Sequence, residues 1–489
     1  MKNKCRNTDS VIKAGELLLT EEPFVYVLSS KERGSRCDSC FEKGKVLKCS
    51  GCQFVHYCGR SCQRDAWNDH KLECSNLKRI APKVLPDAAR MLARIINRLN
   101  RGDGNSYRAF YSATSFRMWK DLMSHYSNLK TDKNRMEHFT SLCVVLNEFL
   151  KDISLPNTVE LMGLYGRMVI NSFTILDMDM NSIGTGVYLA SSIVDHSCEP
   201  NAVATFVGKT IYIRATKDLP CLEWDRIRIS YIDLMKTPYE RQTELLQNYY
   251  FLCQCDRCMD ETQQSLVHAA KCLNPKCDSA VNIPWKENCK IVINTNDGGE
   301  TENEGPTSNG GVKETENTHG PSSESGEVIR CDKCGTKYTE KHVEVFVKTM
   351  EFTELHLRDM EGASVAYVDV CKYCLEKQEG VLHPLNVMHA QTLDHAFDAL
   401  ILVQLWDKAC VYAESLIPCF RFYYGERHPL LGILHLKYGK ILIYKMEMGK
   451  ALDQLKSAEK ILKITHGDKH PLYREHLMSL LRQAMVEST

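Results

Sequence analysis

The spacing of apolar positions changes several times along this chain, and each change predicts a different kind of element. From 11 to 28 the run Val11-Ile-Lys-Ala-Gly-Glu-Leu-Leu-Leu19 turns at Gly15, and Glu22-Pro-Phe-Val-Tyr-Val-Leu28 follows with β-branched and aromatic residues, so this stretch predicts strands. From about 76 to 164 apolar residues recur at three and four, as in Ala89-Arg-Met-Leu-Ala-Arg-Ile-Ile96 and Cys143-Val-Val-Leu-Asn-Glu-Phe-Leu150, which predicts several helices. From Met168 to Asp233 the pattern becomes short strands broken by Gly and Asn. From about Glu340 to Thr489 it is helical and repetitive. Gly380-Val-Leu-His-Pro-Leu385 returns as Gly425-Glu-Arg-His-Pro-Leu430 and Gly467-Asp-Lys-His-Pro-Leu472, each a glycine stop followed by a proline suited to the first turn of the next helix. These histidines are read as turn residues, not metal ligands.

Composition narrows the class. With 489 residues, 43% of them hydrophobic and 25% charged, the chain can build two to four domains with real cores. Its 62 basic and 62 acidic residues cancel, which argues against a protein whose main work is coating nucleic acid or an anionic membrane. The start shows no signal-peptide apolar region and no run approaches the ~18 residues of a membrane span. The 23 cysteines then belong to a reducing compartment, cytoplasmic and nuclear, where paired thiols signify zinc.

The densest cysteine stretch reads Cys37-x2-Cys40, Cys49-x2-Cys52, Cys58-x3-Cys62, His70-x3-Cys74. A closed structural zinc site takes four such ligands, so these eight predict two sites, with metal supplying most of the folding free energy of so short a segment. Further on, Cys253-x-Cys255-x2-Cys258 is one thiolate short of a closed shell, and Cys198 is the expected fourth. Cys272-x4-Cys277 and Cys331-x2-Cys334 are expected to be the halves of a zinc ribbon within an insertion at 268–345. Between them, residues 294–327 are rich in Gly, Ser, Thr, Asn and Glu and are expected to form a disordered acidic loop. Cys371-x2-Cys374 has no partner pair and is read as a helix position.

The stretch 37–74 resembles a MYND finger, which would assign Cys37, Cys40, Cys58 and Cys62 to one zinc and Cys49, Cys52, His70 and Cys74 to the other. Together with Asn171-Ser-Phe, Gly184-Thr-Gly186, Asp195-His-Ser-Cys-Glu-Pro-Asn201, Ile229-Ser-Tyr231 and the 253–258 cysteines, the whole order resembles the SET and MYND domain-containing protein lysine methyltransferases. The resemblance implies an α+β fold: a SET-domain β-fold (1–30 and 166–236) split by the finger and a helical insert (76–165). A post-SET zinc segment (240–260) and an all-α, tetratricopeptide-like C-terminal domain (346–489) follow. It implies S-adenosylmethionine as cofactor, lined by Asn171, Asp195, His196, Tyr231 and Phe251, with Tyr231 as catalytic tyrosine and Tyr249 and Phe251 in the substrate channel. The expected partner is a protein, histone or otherwise, bearing a target lysine. The finger and repeats would hold proline-rich or C-terminal tail peptides, and the protein is expected to be a monomer.

Three positions depart from the family pattern. Met1–Asn7 stands where a Gly-x-Gly cofactor turn is usual, and no glycine precedes Gly15. Asp195 replaces an asparagine, exchanging a donor–acceptor amide for an acceptor. Trp224-Asp225-Arg226 replaces a Gly-Glu-Glu turn, which predicts either a reshaped loop or reduced activity. The alternative from another class is a catalytically weak or inactive, zinc-dependent protein-interaction scaffold of finger and helical repeats. DNA binding through the finger rests only on nine basic against six acidic residues between Lys31 and Cys74.

Overall fold

The computed structural model describes residues 11–151, 153–285, 328–360 and 367–487. The acidic stretch 294–327, Met1–Asn7, Cys5 and Cys289 lie outside the described residues. The chain divides into two compact units, Met1–Leu234 with Glu244–Asp256 and Phe420–Thr489, and Met235–Thr243 with Arg257–Cys419.

In the first unit, Gly15 (φ +89°) makes the expected turn, its N–H donating to Ala215 O, and the chain then enters two sheets in quick succession. Leu17–Glu21 pairs antiparallel with Thr210–Ala215, which pairs with Ala202–Val207. After Pro23 and the fully buried Phe24, Val25–Leu28 joins Ser182–Val187 and Ser172–Leu176 in a second antiparallel sheet. Residues 37–74 thus interrupt the chain between a strand and its partner, and the finger's last ligands ride on the helix Arg60–Ile80.

The segment after the finger is helical as the periodicity predicts, with Asp87–Asn100, Lys133–Phe149 and Thr158–Asn171 as its longest members. Asp87–Asn100 is buried on most sides, with Leu92, Ala93 and Ile95 fully so, and it also takes Arg90 and Arg94 into the interior. Two features differ from expectation. A small hairpin, Ala109–Phe110 with Phe116–Arg117, has too few residues per strand to leave a period in the sequence. The helix capped by the Asn157 side chain runs past Met168 to Asn171, because apolar residues at 161, 165 and 168 hold a helical face to the core; strand structure begins only at Ser172.

Among the described residues from Glu340 onward the named elements are all helical, and the three Gly-x-x-His-Pro-Leu turns share one construction. Gly380, Gly425 and Gly467 take φ of 74°, 83° and 82°, the left-handed conformation that ends a helix without steric cost. Proline then removes one N–H, and the histidine Nδ1 accepts the next: Leu385 N to His383 at 3.1 Å, Leu430 N to His428 and Leu472 N to His470 at 3.2 Å. Each histidine thus closes its own turn, in keeping with the reading as turn residues, and His428 is also the N-cap of Pro429–Tyr444. The compact division falls at Cys419/Phe420, within the helix Trp406–Tyr424, so Pro429–Tyr444 and Met448–Thr465 belong to the same unit as the sheets. There His470 Nε2 donates to Phe206 O (3.0 Å), and Arg427 to Thr216 O (2.9 Å).

Candidate metal centres and active site

None of the described cysteines forms a disulfide. A tetrahedral zinc shell with Zn–S near 2.3 Å requires sulfurs about 3.8 Å apart. In the first finger set Cys40 Sγ lies 3.9 Å from Cys58 Sγ, and Cys58 Sγ 3.4 Å from Cys62 Sγ. In the second, Cys49 and Cys74 are 3.9 Å apart, and Cys52 Sγ is 3.6 Å from His70 Nε2. The ligand atoms of Cys37, Cys40, Cys58 and Cys62 lie within 4.8 Å of one another, as do those of Cys49, Cys52, His70 and Cys74. The donor sets fit zinc in chemistry and in spacing. In the first unit Cys198 meets Cys253 and Cys255, with Cys198 Sγ 4.0 Å from Cys253 Sγ. Cys258 follows in the second unit, where the buried Arg241 guanidinium donates to its sulfur at 3.7 Å. Cys371 and Cys374 are buried on the helix Val368–Gln378.

Two short segments cross beside Cys198. Asp195–His196 runs parallel to Arg228–Ile229, and Asn201 knits them: its Oδ1 accepts from Arg228 N (2.8 Å) and its Nδ2 donates to Arg226 O (2.8 Å). His196 stands at the crossing. Its Nδ1 accepts the Tyr231 N–H at 3.0 Å, so the proton of the neutral ring sits on Nε2, which faces Cys198 Sγ at 3.2 Å. One imidazole therefore joins the cysteine cluster to the tyrosine. The Tyr231 ring lies 5.4 Å from His196 and 5.0 Å from Tyr249, and Phe251 lies 6.0 Å from His196. The Tyr231 hydroxyl donates to Val194 O at 2.6 Å, which turns its lone pairs outward as acceptors. Burial pushes its ionisation above the ordinary tyrosine range, and Asp195 and Tyr249 add to the shift.

Of the residues expected around a cofactor, His196, Tyr231, Tyr249 and Phe251 thus come together. Asp195 is exposed one residue away, its backbone paired with Arg228. Asn171 is differently engaged: its amide donates to Met123 O (2.8 Å) and Arg167 O (2.9 Å), which commits both hydrogens to the end of its own helix and a neighbouring loop. Trp224–Arg226 forms a short 3-10 turn with no positive φ, so the glycine usual there is not required, and the Trp224 ring packs edge-on against Tyr111 of the small hairpin at 5.9 Å.

Residues 37–74 match the MYND finger family model. Over nearly the whole chain, relatives align at low identity. The histone-lysine N-methyltransferase SMYD3 of Mus musculus is 26% identical over 475 residues, 96% of this chain and 92% of the relative. Histone-lysine N-methyltransferase ASHR1 of Arabidopsis thaliana is 25% identical, covering 98% and 92%, and N-lysine methyltransferase SMYD2-A of Danio rerio is 24% identical, covering 98% and 94%. Over nearly its whole length the chain is similar to SET and MYND domain-containing protein lysine methyltransferases.

The MYND finger of this chain is not a bead on a loop. His70 Nδ1 faces Glu73 Oε1 at 3.2 Å, the carboxylate–histidine arrangement that orients a metal ligand. Glu73, fully buried, also accepts from Arg90 (2.8 and 3.1 Å) and Arg94 (2.6 and 3.1 Å), and Arg90 reaches Asp38, beside Cys37, at 3.0 Å. The two guanidinium groups hold the Glu73 carboxyl well below its usual range against the opposing effect of burial. Sequence reasoning missed this network, as it missed the second role of His196. The one signal available was arginine at 90 and 94, one turn apart on an otherwise apolar helical face.

Proposed function

We propose that this chain transfers a methyl group from S-adenosylmethionine to the ε-amine of a lysine in a protein substrate, at the crossing of Asp195–His196 with Arg228–Tyr231. The observation that carries the reading is the Tyr231 hydroxyl, held on Val194 O within the rings of His196, Tyr249 and Phe251. A site lined by carbonyl and phenol oxygens, aromatic faces and the exposed Asp195 carboxylate suits a cationic cofactor, and when bound that cofactor supplies an electrophilic methyl on sulfur. Asp195 and His196 would line its pocket, with Asn171 contributing through its carbonyl side. Tyr231, Tyr249 and Phe251 would keep water from the lysine amine. Desolvation favours the neutral amine, which must be deprotonated to attack although its reference pKa is ~10.4. Holding donor and amine in line contributes on the order of 7 kcal/mol or more in well-oriented systems.

Zinc would be held by the two finger sets and by Cys198, Cys253, Cys255 and Cys258, tying the turn that carries His196 to the segment that carries Phe251. The finger and helical repeats would choose partners through proline-rich or C-terminal tail peptides, in a monomer working in nucleus and cytoplasm, with transcriptional regulation as the setting. Among the described residues, no helix is long and apolar enough to cross a membrane. The test is radiolabelled methyl transfer to recombinant core histones, together with calorimetry of S-adenosylmethionine on the purified chain. Tyr231→Phe should bind the cofactor and lose roughly 10²-fold in turnover. Absence of cofactor binding would reassign the protein to the non-catalytic scaffold class.

A further inference from the structure

We infer that Cys272, Cys277, Cys331 and Cys334 form a further structural metal centre, and that its task is to cap the first helices of the repeat array in the second unit. These cysteines lie in the insertion at 268–345, away from the motifs that carry the family resemblance. Their ligand atoms are mutually within 4.8 Å, with Cys272 Sγ 3.5 Å from Cys334 Sγ and Cys277 Sγ 3.8 Å from Cys331 Sγ. That is the edge length of a tetrahedral thiolate shell and far too long for a disulfide. Each pair sits in a backbone knuckle: Cys277 N donates to Asn274 O and Cys272 N to Ser279 O, while Gly335 (φ +72°) lets its N–H return to Cys331 O and Cys331 N reach Thr336 O. Two thiol pairs converge from knuckles 54 or more residues apart. Among the described residues of this insertion, Val281, Ile283, Trp285 and Tyr338 are the large apolar side chains that are buried, too little to order it without a metal.

The cluster is joined to the helices by a continuous set of backbone bonds. Ala270–Lys271, one residue before Cys272, pairs with Ala280–Val281 on one side and bridges to Leu382 on the other. Lys271 N donates to Val381 O (2.9 Å) and His383 N to Ala269 O (3.0 Å), so the first Gly-x-x-His-Pro-Leu turn is bridged to the edge of the ribbon. Asn386, fully buried, caps Val387–Leu402 through Met388 N and donates to Ala269 O at 3.1 Å. From the second knuckle, Tyr338 donates its hydroxyl to Lys271 O, and the helix Glu340–Met360 begins two residues later. A helical stack needs its exposed end covered, and this cluster covers it.

The test counts metal and reads local stability on the full-length chain. Elemental analysis of the wild type should give four zinc ions per chain, one for each cysteine-rich set, and Cys331→Ser/Cys334→Ser should give three. The same double variant should lose most amide-exchange protection in Glu340–Met360 and Val387–Leu402 while the finger helix Arg60–Ile80 is unchanged. Tyr338→Phe, which keeps all four thiols, should hold four zinc ions and speed exchange in those two helices by about fivefold, the equivalent of one hydrogen bond. Three ions in the wild type would overturn the metal centre, and metal loss without a change in helix exchange would overturn the capping. Should the double variant not fold, the wild-type count decides the first point and Tyr338→Phe the second. None of these readouts needs methyl transfer, so failure here and failure of the proposed activity are distinguishable.

Discussion

Replacing Glu73 with glutamine tests whether the buried ion network, rather than the thiols alone, determines how firmly the finger holds its metal. The carboxylate sits among Arg90, Arg94 and His70 with no exposed surface, and the Asp38 carboxylate completes the charge balance of the two arginines. Glutamine leaves two buried guanidinium groups against Asp38 alone and turns an amide N–H₂ toward donors where an acceptor stood. Breaking a buried pair from one side costs about 3–5 kcal/mol, or roughly two to three and a half decades in local opening. Loss of the carboxylate behind His70 adds a 10–100-fold fall in zinc affinity at the second finger set. The assay is amide exchange of Arg60–Ile80, read alongside competitive zinc release to a chromogenic chelator. Glu447→Gln, at an exposed pair with Lys450, serves as control and should move nothing measurable. If Glu73→Gln matches the control in both readouts, the network is ornamental and the coupling argued here is refuted.

Because burial raises Tyr231, its hydroxyl should stay protonated and bound to Val194 O throughout the assay range. The rate should then rise from about pH 7 toward about pH 10 with lysine deprotonation; a fall above pH 9 that Tyr231→Phe abolishes would contradict this. Trp224→Gly restores the residue usual in the family but removes the Tyr111 contact, so it should cost about 1–2 kcal/mol in denaturant unfolding of this unit without raising cofactor affinity by calorimetry. Tyr250 occupies a left-handed conformation (φ +60°) between the two channel aromatics, and its hydroxyl is held by Asp132 at 2.9 Å. Tyr250→Phe should lower kcat/KM for histone substrate about tenfold by releasing Tyr249 and Phe251, with zinc content unchanged; unaltered kinetics would assign the bond to packing alone.

What the sequence determined by itself was whatever lies in local spacing. Ligand pairs two to five residues apart must come from one turn, so the pairs could be read directly, while the interleaved division of the finger's eight ligands into two sets came from its resemblance to a MYND finger. A glycine stop followed by His-Pro marks a helix start wherever it occurs, and a strand period beside a helix period locates the insertions. Tertiary structure decided the rest, because it depends on side chains far apart in the chain. His196 could be proposed as a pocket residue, but only the crossing of 195–196 with 228–229 makes it the link between Cys198 and Tyr231. Arg90 and Arg94 look like interruptions of an apolar face until Glu73 and Asp38 meet them. Trp224 looks like a damaged turn until Tyr111 supplies the surface that holds it. In each case the residue type is set locally, while its partner is chosen by packing that no short-range period encodes.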